Sequence, residues 1–251
     1  MFHLLLAVIY LSFISLGLPD GLLGAAWPIM HPQLSVPVSY AGLLSLLISC
    51  CTILSSLASD RLTRKLGTAR LTAFSVAMTA LALFGFSFSS SIFELCFWAI
   101  PYGLGAGSVD AALNNYVAIH YASRHMSWLH CMWGVGASIG PYIMGFALSG
   151  GNNWPMGYRY IGFLQVILTI LLFLSLPLWK QQAKTYEQEN TQVPALPLHK
   201  ILMLPGAKEV MITFFCYCAL EQTTALWASS YLVLNHDVDA KLAASLGSLF
   251  F

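Results

Sequence analysis

Residues 4–30 read LLLAVIYLSFISLGLPDGLLGAAWPIM, an apolar run with a single charged side chain, Asp20. A bilayer core about 30 Å thick is crossed by roughly 20 mostly apolar residues in a helix, so this run is long enough to span it. Its position near the N-terminus invites comparison with a secretion signal. It lacks the basic n-region and the small-residue cleavage site of such a signal, and its apolar character persists through Ala25 and Ala26 to Met30. It reads as a first membrane helix with a carboxylate inside it.

Outward from it, comparable runs recur at about 38–58, 69–88, 92–120, 129–149, 158–179 and 209–234. An eighth starts near Ala240, and the residues left before Phe251 are too few to cross a bilayer. The chain is therefore expected to be a truncated form of a longer protein. The composition agrees with a membrane protein: 58% of the 251 residues are hydrophobic and 8% charged, whereas a soluble domain carries roughly 25% charged residues. The formal net charge of +1 gives no reason to expect a nucleic-acid partner. The six cysteines, Cys50, Cys51, Cys96, Cys131, Cys216 and Cys218, form no C-x-x-C pair. They read as small buried hydrophobes, with no metal, disulfide or cofactor role expected.

The connections divide the chain. Pro32 and Pro37 bracket the first loop, Asp60–Gly67 reads as a charged turn, and Gly150–Pro155 has the chemistry of a loop. Lys180–Pro205 is the longest polar segment, with a short amphipathic piece around Leu198–Leu204. The expected organisation is a six-helix transmembrane bundle over 1–180, a cytoplasmic linker over 181–207 and the start of a second bundle over 208–251. With the N-terminus in the cytoplasm, the inside segments carry Arg61, Arg64, Lys65, Arg70, Arg124, Lys180, Lys184, Lys200 and Lys208. The outside ones carry only Arg159 and Lys241. This asymmetry supports that orientation.

Three carboxylates fall inside predicted spans: Asp20 in the first, Asp110 in the fourth and Glu221 in the seventh. A charge at bilayer depth costs roughly 2.5–3.5 kcal/mol on insertion scales, and such residues normally face a bundle interior or a wet cavity. The plainer alternative is a protonated acid bonded to a neighbouring helix. Glu94, near the end of the fourth span, reads as solvated. Gly103, Gly107, Asp110 and Asn114 follow steps of four, three and four, which places them on one helix face. Gly17, Asp20, Gly21, Gly24 and Pro28 form a similar stripe in the first span. Cys218, Glu221, Gln222, Ala225 and Ser229 repeat its offsets in the seventh. Trp27 and Trp227 follow their acids at similar distances. The first and seventh helices thus read as equivalents in two repeated halves, an arrangement of many transporters.

The fifth span carries Gly136-x-x-x-Gly140-Pro141, spacing that lets backbones approach closely. His130 opens this span, and His120, His125 and His130 are five apart, out of alignment for a metal site. The run Gly103-x-Gly105-x-Gly107 lies inside a span without a preceding strand, so helix packing is favoured over a nucleotide loop.

Ser56-Leu57-Ala58-Ser59-Asp60-Arg61-Leu62-Thr63-Arg64-Lys65 resembles the signature loop of the major facilitator superfamily, with Ser56 and Thr63 where that loop has glycines. Trp128–Pro141 is similar to the fifth helix of its fucose-permease-like branch. Gly105–Asp110 with Asn114 is similar to that branch's fourth helix, with Asp in place of Glu, and Asp20 matches the acid of its first helix. The resemblance implies an all-α membrane protein of the major facilitator fold. It would hold the N-terminal six-helix bundle, built from 3+3 inverted repeats, then the seventh helix and the start of the eighth.

The implied function is secondary active transport, a proton-coupled symport of a small polar solute such as a sugar, by a monomer in the cell membrane. Solute and proton would be handled by Asp20, Asp110, Asn114, Asn115, Glu221, Gln222, Trp27, His130 and Trp133. Asp60, Arg61, Arg64 and Lys65 would form a gating latch, and Gly136, Gly140 and Pro141 a packing seam. A carboxyl withdrawn from water favours its neutral form, the property a proton carrier needs. Three rivals are a transport-inactive fragment, an intramembrane hydrolase using Ser108 with His130, and a seven-helix receptor.

Overall fold

The first membrane run is not one helix: it breaks at the residues around its carboxylate. In this computed structural model, which describes residues 2–149, 151, 153–187 and 198–250, α1 (Phe2–Gly17) and α2 (Leu22–Gln33) are separated by a turn over 18–21. Pro19 has no amide hydrogen to donate and its ring crowds the preceding turn. The backbone tightens instead, with Asp20 N–H on Gly17 O at 3.1 Å and Leu22 N–H on Pro19 O at 3.2 Å. The continuous helix expected over 4–30 is corrected accordingly, and Asp20 stands at the break.

Eight further helices follow: α3 (Tyr40–Leu66), α4 (Thr68–Phe88), α5 (Ile92–His120), α6 (Ser123–Ser149), α7 (Trp154–Glu187), α8 (Leu198–Leu202), α9 (Ala207–His236) and α10 (Ala240–Gly247). No strand occurs among the described residues. Six segments are long and apolar enough to cross a membrane: α1 with α2, α3, α4, α5, α6 and α7 as far as Trp179. The seventh expected span, α9, has the length but is not among them. Its apolar pattern is interrupted by Glu221-Gln222-Thr223-Thr224.

Three expected boundaries also move. The charged turn at Asp60–Gly67 is helical up to Leu66, because Asp60 and Arg64 pair one turn apart at 2.6 Å and nothing before Gly67 breaks the helix. Gly67, at φ +80°, ends it and reverses the chain into α4. The expected loop Gly150–Pro155 is shortened by α7 starting at Trp154, and residues 150 and 152 lie outside the described residues. Of the expected linker, the first part continues α7 to Glu187, α8 falls where the amphipathic piece was expected, and 188–197 lie outside the described residues.

Packing is set by small residues. α1 lies on α6, where a Cβ on Gly136 would come 2.0 Å from Ile14 O and one on Gly140 1.9 Å from Leu18 O. Gly17 answers from the other side, its Cβ position 2.1 Å from Trp133 O. The 136/140 pair is thus a seam against the broken helix. Gly103 and Gly107 pack on α3, and Gly105 packs on α4, so the glycine run serves helix contact. Ser15 and Gln165 tie α1 to α7: Ser15 Oγ donates to Gln165 Oε1 at 2.5 Å, and Gln165 Nε2 donates to Ser15 O at 2.6 Å. The outer faces carry large apolar side chains, among them Phe93, Leu57 and Leu174. A lipid bilayer covers such a surface, and water does not.

Candidate functional site

The break in the first helix opens onto a cavity of about 1290 Å³ in the middle of the bundle. Its walls come from α1, the α1–α2 turn, α2, α3, α4, α5, α6, α7 and α9. Asp20, Asp110 and Glu221 all line it, each from a different part of the chain. Asp20 is close enough to both others to interact with them electrostatically, and Asp110 likewise with His130. Like charges brought to one cavity repel one another unless protons or a ligand intervene.

Each acid is held by neutral donors. Asp20 accepts from Trp133 Nε1 at 2.8 Å on Oδ2 and from the Tyr102 hydroxyl at 3.4 Å on Oδ1. Trp133 comes from α6, pressed against α1 by the glycine seam, so the packing motif sets this contact. Asp110 accepts from Asn114 Nδ2 at 2.9 Å, as expected for polar residues one turn apart. The Asn114 Oδ1 is buried without a hydrogen-bond partner. Glu221 accepts from the Tyr217 hydroxyl at 3.0 Å, one turn back along α9.

Of the residues expected to handle solute and proton, Asp20, Asp110, Asn114, His130, Trp133, Glu221 and Gln222 line the cavity. Two do not. Trp27 is fully buried in the core beside it, its Nε1 donating to Val38 O at 2.7 Å. Asn115 is exposed elsewhere on α5; one residue beyond Asn114, it is turned about 100° around the helix. Asp20 and Gly24 of the first stripe and Cys218, Glu221, Gln222 and Ala225 of the α9 stripe line the same cavity. Ala225 receives Gly24, whose Cβ position lies 2.0 Å from Ala225 O, so the two stripes meet.

The structure also brings in residues the sequence reading passed over. Tyr102 and Tyr158 line the cavity, and Gln165 is 1% exposed in the α1–α7 tie. The signal was present: a tyrosine hydroxyl or an amide in mid-span must find a partner. Ser108, offered as a nucleophile, is instead hydrogen-bonded to Ser55 at the α3–α5 contact and is 4% exposed. His130 stacks edge-on to Phe13 at 6.1 Å. The hydrolase pairing is therefore not formed. Among the described residues no group of His, Cys, Asp and Glu could hold a metal ion.

Asp60 of the expected latch pairs with Arg64 on the exposed end of α3, the two side chains being 62% and 64% exposed.

The fold is similar to that of a D-xylose-proton symporter, with a TM-score of 0.68 at 12% identity, covering 98% of this chain and 64% of the symporter. At that identity the likeness is one of fold, and the chain spans less than two thirds of the symporter's length. No curated protein matches the sequence. The Major Facilitator Superfamily matches residues 9–251, nearly the whole chain. The chain belongs to the major facilitator superfamily.

Proposed function

We propose that the chain handles solute and proton in a secondary active transporter, by proton-coupled symport of a small polar solute. The observation that carries this reading is the meeting of Asp20, Asp110 and Glu221 in one cavity within the bundle. Asp20 and Asp110 exchange the coupling proton. Protonation of either removes a repulsion that otherwise opposes closure around the solute. Asn114, Gln222 and Trp133 contact the solute, and His130 borders Asp110.

The break at Pro19–Gly21 is suited to the task, because discontinuous helices place backbone groups and acids at mid-membrane sites. Two bundles rocking about the cavity alternate its access, with Asp60, Arg61, Arg64 and Lys65 as a cytoplasmic latch on an N-terminus-inside topology. The matches in the fourth and fifth helices and at Asp20 favour the fucose-permease-like branch. The similar fold of a D-xylose-proton symporter is consistent with a sugar.

The test is uptake into proteoliposomes under an imposed pH gradient. Asp20→Asn and Asp110→Asn are each expected to abolish the dependence of uptake on the gradient. If both variants keep the wild-type dependence, neither acid carries the proton and the reading fails.

A further inference from the structure

The hydrogen-bond donors nearest the acids are already spent. Trp133 Nε1 and the Tyr102 hydroxyl point at Asp20, Asn114 Nδ2 at Asp110, and the Tyr217 hydroxyl at Glu221. What remains are the carboxylates of Asp20, Asp110 and Glu221 themselves, acceptors on the cavity wall. No Lys or Arg is among the described residues that line the cavity, and its one imidazole is His130. The rings of Trp133, Tyr102 and Tyr158 stand on its walls.

A ligand that satisfies this site must bring donors and positive charge. A carboxylated solute would add a further negative charge to the acids with neither Lys nor Arg on the walls to meet it and His130 as the one basic side chain. A neutral sugar hydroxyl donates once and also asks for a donor in return. An ammonium brings three donors and no acceptor, meets carboxylates with charge-assisted bonds, and is attracted to the faces of Trp and Tyr.

We propose that the solute of this cavity carries a protonated amine: a small hydroxylated amine, with an amino sugar as the type, seated between Asp110 and Asp20. Ser49 and Ser138, on the same walls, face its hydroxyls. This rests on the reading of the cavity as the solute site. It commits to a cationic solute where that reading alone admits any small polar one.

Cys218 lines the cavity three residues before Glu221 and reports on occupancy. The full chain is prepared in nanodiscs with Cys218 as its single cysteine, the others changed to Ala. Its labelling by N-ethylmaleimide is timed in the presence of glucosamine, glucose or gluconate. Glucosamine is expected to halve the labelling rate at a concentration at least tenfold below that of glucose, with gluconate weakest. Asp110→Asn, and separately Asp20→Asn, should shrink this preference several-fold. Equal protection by glucose and glucosamine, or better protection by gluconate, overturns the amine assignment and leaves the solute site standing. Protection by none of the three overturns both. A preference unchanged in both variants places the amine elsewhere and overturns the assignment.

Discussion

Gly140→Ala probes the contact that positions Asp20. Adding a Cβ at Gly140 places it 1.9 Å from the carbonyl oxygen of Leu18, which belongs to the turn that carries Asp20. Real Cβ atoms essentially never approach closer than 3.0 Å, so about 1.1 Å of extra room is needed (3.0 less 1.9). The obstacle is backbone, and no rotamer change relieves it. α1 and α6 must separate locally, which costs about 1–3 kcal/mol as overpacking does elsewhere.

Alanine also favours a helix over glycine by about 0.5–1 kcal/mol, so the clash should be read against a control. Gly134 lies on the same helix, and a Cβ there meets nothing within 4 Å. Gly134→Ala is therefore expected to be neutral or slightly stabilising. Gly140→Ala should be about 1–3 kcal/mol less stable than that control, measured by SDS-induced unfolding in mixed micelles followed by circular dichroism. If the two variants unfold at the same SDS fraction, the seam is not the tight contact described, and the placement of Trp133 against Asp20 loses its support.

Other outcomes follow from the same geometry. Gln165→Leu and Ser15→Ala should show a coupling of about 0.6–1.7 kcal/mol in a double-mutant cycle of unfolding, the range seen between membrane helices, because the cycle isolates the Ser15 Oγ–Gln165 Oε1 bond, while the bond to the Ser15 backbone carbonyl is lost with Gln165→Leu alone. Trp133→Phe should reduce uptake by about tenfold or more and Tyr102→Phe only a few-fold, because the first removes a 2.8 Å bond to Asp20 and the second one of 3.4 Å. Asp60→Asn removes an exposed pair and should change stability by less than about 1 kcal/mol, so a marked loss of uptake in that variant would be an effect on transport.

Much of the fold was legible because a bilayer imposes it: length, apolarity and sparse charge dictate spanning helices before any packing is known. The glycine spacing at 136 and 140 announced a seam but not its partner, which depends on where the first helix breaks. Pro19 was in plain view beside Asp20, yet proline is tolerated in membrane helices, and only the surrounding packing decides between a kink and a break. That Asp110 and Asn114 share a face was legible because one helical turn fixes their relation, and the two side chains are hydrogen-bonded. Trp27 was misplaced because spacing alone does not say which side of a helix closes on core and which on cavity. Tyr102 and Gln165 were missed because their partners lie 82 and 150 residues away in the chain, beyond any local pattern.

The central claim is that Asp20, Asp110 and Glu221 share one cavity inside the membrane, and labelling of introduced cysteines from water tests it most directly. In a cysteine-free background in nanodiscs, Asp20→Cys, Asp110→Cys and Glu221→Cys should each react with a membrane-impermeant methanethiosulfonate. Trp27→Cys and Leu113→Cys, both fully buried positions in the native chain, should react at least tenfold more slowly. A bulky label at any one of the three acid positions should block reaction of a second cysteine at another. Independent labelling of all three, or reaction at Trp27→Cys as fast as at Asp110→Cys, would contradict a shared cavity.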